Sequence, residues 1–294
     1  MDSVRNDPSR RRFLAQLGAA GLVAAVARTS RAVGAEGPAA GSAPAPAAAA
    51  SKPGGAAALG DWFPRQDPDL VKEIVGAAHR DLDTVARLVE KRPELAKSQW
   101  DWGYGDWESP IDAASHTGQR EIALLVIRNG ARPTIFSAAM LGQLEVVRQF
   151  VLAAPGVQAT PGPHGIPLLA HAKVGGEPAA AVVEYLTSVG GADGGPPRPT
   201  LTETEQRRYV GSYLYGTGEG DRLEIAPSSN LKGLGIARRG GLARGLVPLG
   251  NHEFHPVGAP SVRVRFEVAG ELATTVAIYA PDLMVSARRA ATGS

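Results

Sequence analysis

Between residues 77 and 172 four segments of the chain align on one pattern: a pair of small residues, a close turn, then a helix built on Val, Ile and Leu. They are Ala77-Ala78-His79-Arg80-Asp81-Leu82, Ala114-Ser115-His116-Thr117-Gly118, Ala138-Ala139-Met140-Leu141-Gly142-Gln143-Leu144 and Pro167-Leu168-Leu169-Ala170-His171-Ala172. Apolar residues at helical spacing follow each one: Val85, Leu88 and Val89; Ile122, Leu125 and Val126; Val146, Val147, Phe150 and Val151; Val182, Val183 and Leu186. No other feature constrains the fold as much. A single helix pair cannot bury its apolar face alone, so recurring pairs must stack on one another. Small residues on the first helix allow close approach, and glycine makes the tight turn.

The punctuation agrees with helices. Asp67-Pro68 is a helix start, with Asp as cap and Pro at the first position. Asn129-Gly130-Ala131 ends a helix on a left-handed glycine, and Pro93 and Pro155 end or follow others. Ser109-Pro110-Ile111-Asp112-Ala113-Ala114, followed by Gly118, resembles the opening of an ankyrin repeat, whose pattern runs Thr-Pro-Leu-His, a small-residue helix and a Gly. The resemblance spans about residues 68–193. It is partial at Ile166-Pro167-Leu168-Leu169 and altered at Pro133-Thr134-Ile135-Phe136, so the repeats are degenerate. It implies about four repeats with a long concave surface, which in that family binds proteins.

Two groups of residues are the candidates for that binding. Trp100, Trp102, Tyr104 and Trp107 crowd into eight residues between the first two repeats, with Asp101, Asp106 and Glu108 beside them. Large rings with few rotors suit interface anchors, and the acids suit a basic group or sugar hydroxyls. Packing of the rings on their own repeat is the competing expectation. His79, His116, Met140 and Lys173 fall at one equivalent first-helix position, and the first three join the partner-binding set, with ordinary surface or inter-repeat hydrogen-bonding histidines as the competing expectation. Neighbouring first helices are expected roughly 10 Å apart. That spacing is too wide for an ion with bonds near 2 Å, so no metal site and no cofactor are expected.

The N-terminus reads as an address. Ser9-Arg10-Arg11-Arg12-Phe13-Leu14 matches the twin-arginine export pattern, an apolar run from Leu17 to Ala27 follows, and Val33-Gly34-Ala35 is a small-residue cleavage site. The run is too short for a bilayer span, which needs about 20 residues. Twin-arginine export carries folded cargo, often with a metal or redox cofactor, but nothing in this sequence resembles a site for one. The expected location is therefore the periplasm or beyond. Residues 36–60, almost all Ala, Gly, Pro and Ser, read as a flexible tether.

After the Gly/Pro-rich stretch from Gly190 to Pro199, the period changes to two. Tyr209–Tyr213, Arg222–Ile225, Val262–Val268 and Thr274–Tyr279 alternate apolar with polar, which predicts an antiparallel sheet curled into a small barrel. Tyr209-Val210-Gly211-Ser212-Tyr213, Leu246-Val247-Pro248-Leu249, Glu253-Phe254, Arg265-Phe266 and Ala287-Arg288 are similar to the accessory β-domain appended to serine β-lactamase-like exported proteins. That module brings no catalytic set with it. His252-Glu253-Phe254-His255 is one residue short of His-Glu-x-x-His. Gly216–Gly220 is followed by a strand, so no helix N-terminus is available to hold a phosphate.

Composition removes several classes. With no cysteine there are no disulfides, thiolate metal sites or Cys nucleophile. The basic balance belongs to the leader: residues 1–35 hold six Arg against two Asp, and the remainder has 25 basic and 27 acidic residues. Nucleic acid is not an expected partner. The expected chain is multidomain: a signal peptide over 1–35, a linker over 36–60, an all-α ankyrin-like solenoid over 61–193, a linker over 194–201, and a small antiparallel all-β barrel-like domain over 202–294. It is expected to be a monomeric, non-enzymatic scaffold that binds a protein partner, without a membrane span in the mature chain. A small-ligand binder, using the β-domain or the Trp/Asp loop for a sugar or lipid, is the alternative. A hydrolase using His252 or His255 near Glu253 is a third.

Overall fold

The structure is a computed structural model, and it describes residues 60–195, 199–228 and 233–291. The expected leader over 1–35 and nearly all of the expected 36–60 linker lie outside the described residues.

The helical part begins where Asp67 caps its first helix through the amide of Asp69. It contains α1 (Pro68–Ala77), α2 (Leu82–Lys91), α3 (Pro110–His116), α4 (Arg120–Arg128), α5 (Ile135–Met140), α6 (Leu144–Ala153), α7 (Leu168–Val174) and α8 (Ala180–Val189). A two-stranded hairpin, β1 (Trp100–Asp101) and β2 (Trp107–Glu108), interrupts them. Ser109 and Asp112 form a reciprocal capping box on α3, and Thr134 and Ser137 form one on α5. Gly142 turns α5 into α6 at φ 73°, and a Cβ there would lie 2.0 Å from the Pro178 carbonyl oxygen. Only glycine fits that approach.

The expected all-α ankyrin-like solenoid is overturned. The helices are short, six to ten residues each, and are broken by the hairpin and by 3-10 turns at Pro93–Lys97, Val157–Ala159, Pro163–Gly165 and Glu177–Ala179. A solenoid contacts only its neighbours in line. Here α3 packs on α1, α5 and also α7. The small residues that suggested stacking, Ala113, Ala114, Ala138 and Ala139, are buried and do permit close packing, but they gather helices around α3. Two apolar clusters result: one around Ile74, Val85, Leu95, Ile111 and Ile122, the other around Ala138, Val147, Leu168, Val182 and Leu186.

The C-terminal part is the expected barrel. After a short helix, α9 (Glu203–Arg207), come β3 (Gly211–Leu214), β4 (Arg222–Ser228), β5 (Gly233–Arg238), β6 (Arg244–Gly250), β7 (Glu253–Pro256), β8 (Arg263–Ala269), β9 (Leu272–Tyr279) and β10 (Leu283–Arg289). Each strand pairs antiparallel with the next, and β10 closes on β3 through Arg288–Leu214 and Arg289–Tyr213. Alternation sends Tyr213, Ile225, Ile236, Phe254, Phe266 and Ile278 inside, where they fill the interior as a packed core. Arg289 ties the closure, donating to the carbonyls of Val210 and Arg208 at 2.6 and 3.0 Å and to the Tyr213 hydroxyl at 2.8 Å. Helical part and barrel belong to one compact unit. Among the described residues no helix is long and apolar enough to cross a membrane.

Candidate metal centre

The hairpin sets the site. Gly103, Tyr104 and Gly105 take positive φ (116°, 61° and 80°), and Asp101 Oδ1 holds the turn by accepting the amides of Gly103 and Gly105 at 2.8 and 3.1 Å. Successive strand residues face opposite sides. Asp106 and Glu108 therefore point inward, 4% and 0% exposed, while Trp107 between them points out, 55% exposed.

Three histidines close on Glu108. His79 lies just past the end of α1, His116 is the last residue of α3, and His164 sits in the Pro163–Gly165 turn at φ 59°. His116 Nε2 lies 2.8 Å and His164 Nε2 3.2 Å from Glu108 Oε1, and His79 Nε2 lies 3.5 Å from Oε2. One ligand atom from each of the four residues lies within 4.8 Å of all the others. A tetrahedral ion with bonds of about 2.1 Å holds its ligand atoms about 3.4 Å apart; the two distances to Oε1 fall a little short of that value, and the His79 distance, to Oε2, is close to it.

The remaining ring nitrogens fix how the histidines present themselves. His79 Nδ1 faces the carbonyls of Val75 and Gly76, both at 3.1 Å, and His164 Nδ1 faces Asp106 Oδ2 at 2.7 Å. Carbonyls and carboxylates only accept, so Nδ1 carries the hydrogen in both rings. In the neutral rings Nε2 is then a lone pair, and both lone pairs are aimed at a buried carboxylate. Such a cluster is complete only with a cation in it, either an extra proton on the imidazoles or a metal ion.

Electrostatics point the same way. Burial opposes the charge on Glu108, but the His116 and His164 rings, which donate to it when they carry the extra proton, and the other nearby imidazole outweigh it and hold the carboxyl down to about 2. Burial pushes the His79 ring below its ordinary value in spite of the Glu108 charge beside it. Trp102 Nε1–H donates to Glu108 Oε2 at 2.7 Å and fixes the carboxylate from behind. Asp106 plays that part for His164: it accepts the His164 amide at 2.9 Å on Oδ1, and its Oδ2 is bonded by Arg244 from β6 of the barrel. Metal-bound imidazoles commonly carry such a carboxylate on the far nitrogen. His171, fully buried behind His116, bonds Ser115 Oγ through Nδ1 at 3.1 Å. Burial and the neighbouring His116 push it down to about 3.

The residues singled out from the sequence are thus distributed over several roles. His79 and His116 converge, with ring centroids 4.9 Å apart. The 10 Å expected from helix spacing ignored the reach of the side chains. Met140, at the equivalent position of the next helix, is fully buried in the helical core. Trp100 packs on that core with Lys72 Nζ 5.9 Å from its ring, and Trp102 lies edge-on to His79. Tyr104 packs against the barrel core. Asp101 and Asp106 are engaged as described, and Trp107 stays exposed. Glu108 was legible only as one more acid beside the tryptophans. His164 was not singled out at all, and its one local signal is a histidine held between Pro163 and Gly165.

The other two apparent sites separate. His252 lies in the β6–β7 turn at φ 59° and bonds the Tyr209 hydroxyl through Nδ1 at 2.8 Å, whereas His255 Nδ1 faces the Pro256 carbonyl. Glu253 is paired with Arg263 and Arg265. The Gly216–Gly220 stretch is a turn leading into β4. Comparison with known proteins found no family, no curated protein and no solved structure that matches this chain.

Proposed function

We propose that this chain is a metal-binding protein in which His79, His116, His164 and Glu108 hold one first-row divalent cation of the zinc class. The observation that carries the reading is the convergence of imidazole lone pairs on a fully buried carboxylate, with the far nitrogens of His79 and His164 tied to acceptors. Nitrogen and carboxylate oxygen without thiolate suit Zn²⁺, Co²⁺ or Ni²⁺ better than Ca²⁺ or Mg²⁺. Four protein ligands make a closed set, which fits a structural ion that clasps α1, β2, α3 and the Pro163–Gly165 turn together. Export as folded cargo, the expectation from Ser9–Leu14, is compatible with an ion loaded before transport.

The test is a titration of the chelator-stripped chain with Co²⁺ and then Zn²⁺. The expected result is one equivalent of Co²⁺ with visible absorption of a tetrahedral site, displaced by one equivalent of Zn²⁺ and lost in His116→Ala. A folded chain that binds no ion at micromolar concentration overturns it.

The partner-binding expectation keeps one observation in its favour: Trp107 presents its ring to solvent on the outer face of the same hairpin. A partner that used it would lose at least tenfold in affinity on Trp107→Ala, while metal binding stayed intact.

A further inference from the structure

Asp106 stands between the metal cluster and the barrel. One side of its carboxylate takes the amide and Nδ1 of His164. The other side takes the guanidinium of Arg244, which also donates to the Val257 carbonyl at 3.0 Å. Gly258 closes over the carboxylate at φ 84°, and a Cβ there would lie 2.5 Å from Asp106 Cγ. From the same hairpin Tyr104 reaches the barrel core. The barrel therefore supplies the cation that fixes Asp106, and Asp106 fixes the tautomer and direction of a candidate ligand.

We infer that Arg244 is a positioning residue for the metal centre, so that cation binding in the helical part and docking of the barrel strengthen each other. This rests on the metal-binding reading. The coupling is reciprocal by linkage: if the docked barrel tightens the ion, the ion must tighten the docked barrel by the same factor. A ligand histidine whose carboxylate partner is disturbed commonly loses 10–100-fold in metal affinity, and removing Arg244 disturbs that partner one bond further out. The expected loss lies toward the lower end of that range.

The experiment uses the full chain and Co²⁺ and Zn²⁺ as probes. Arg244→Gln is expected to weaken Zn²⁺ about tenfold in competition with a chelating dye, Asp106→Asn to weaken it more, and Arg244→Lys to recover part of the loss. A purely architectural Arg244 would lower the melting temperature of the metal-free chain without changing the Zn²⁺ affinity of the folded protein. That outcome, with wild type binding normally, overturns the inference and leaves the metal reading standing. Failure of wild type to bind either ion overturns the metal reading itself, and the inference with it. If Arg244→Gln does not fold, hydrogen exchange on wild type decides: Zn²⁺ is expected to slow exchange in β6 and at residues 257–259 as well as around the ligands. Protection confined to the helical part counts against the coupling.

Discussion

Trp102 and Glu108 face each other across the hairpin, and the indole N–H donates to the carboxylate at 2.7 Å. That bond gives a fully buried carboxylate a donor that does not titrate, on the oxygen that His116 and His164 leave free. The tryptophan that looked like an interface anchor is thereby part of the wall of the cluster. Trp102→Phe keeps most of the ring and removes the donor. Loss of a hydrogen bond to a buried charge costs about 1.5–3 kcal/mol, so urea denaturation of the metal-free chain should show a loss in that range. Stability within about 0.5 kcal/mol of wild type would mean that the bond is not maintained in solution.

His164 combines a ligand atom with a left-handed backbone, φ 59°. Substituting Ala and Gly separates the two. Both variants should lose tight Zn²⁺ binding, measured by dye competition. In the absence of metal, His164→Gly should be the more stable by about 1 kcal/mol, since only glycine adopts that conformation without cost. Equal stabilities would place the turn in a different conformation from the one described.

Removing the ion should destabilise the chain by an amount that grows with the logarithm of its free concentration over its Kd. A ligand that binds only the folded state adds about 2.7 kcal/mol at one hundred times its Kd. Thermal unfolding with Zn²⁺ should therefore occur at a higher temperature than with EDTA, and Glu108→Gln should erase most of the difference. An identical melting temperature under both conditions would contradict a structural ion.

The barrel has an alkaline limit of its own. Tyr213 is buried, and burial pushes its hydroxyl up to about 12 from an ordinary 10.0, with the Arg289 charge offsetting part of the rise. A folded-state value above the unfolded one favours the folded state fully below pH 10, and the contribution fades as pH rises toward 12. It amounts to about 2 kcal/mol. Chemical denaturation between pH 9 and 12 should show that loss, with a shallower slope in Tyr213→Phe. Below pH 10 the variant should start about 1 kcal/mol less stable, because the hydroxyl also donates to the Tyr209 carbonyl.

The barrel was legible because its code is local. Tyr209–Tyr213 and Val262–Val268 alternate, and alternation on a curled sheet leaves few choices. The helix starts at Asp67-Pro68 and Ser109-Pro110 were legible for the same reason, since a cap and its partner lie within three residues. The global arrangement of the helices was not. The small pairs at 113–114 and 138–139 specify that helices come close, but not that α3 also meets α7. The metal cluster was hidden in another way. Its ligands come from three stretches of chain, around His79, from Glu108 to His116 and at His164, and the roughly 10 Å between neighbouring helix axes says little about the tips of His79 and His116, which decide the matter. The inward face of Asp106 and Glu108 could have been read from the strand period, with Trp107 as the alternate residue. His164 carries no local mark beyond its place between Pro163 and Gly165, and its role depends on a contact with Asp106 across 58 residues.

That separation along the chain has a temporal side. His79, Glu108 and His116 leave the ribosome well before His164, and Arg244 follows 80 residues after that. During synthesis the growing chain holds an incomplete set of ligands and the buried Glu108 charge without its full complement of partners. The cluster closes only when the Pro163–Gly165 turn arrives, and its outermost brace arrives with the sixth strand. On the metal-binding reading, ion capture marks the moment at which the four ligand segments have found one another, so a product stalled before His164 can be told from a finished one by its inability to keep the ion.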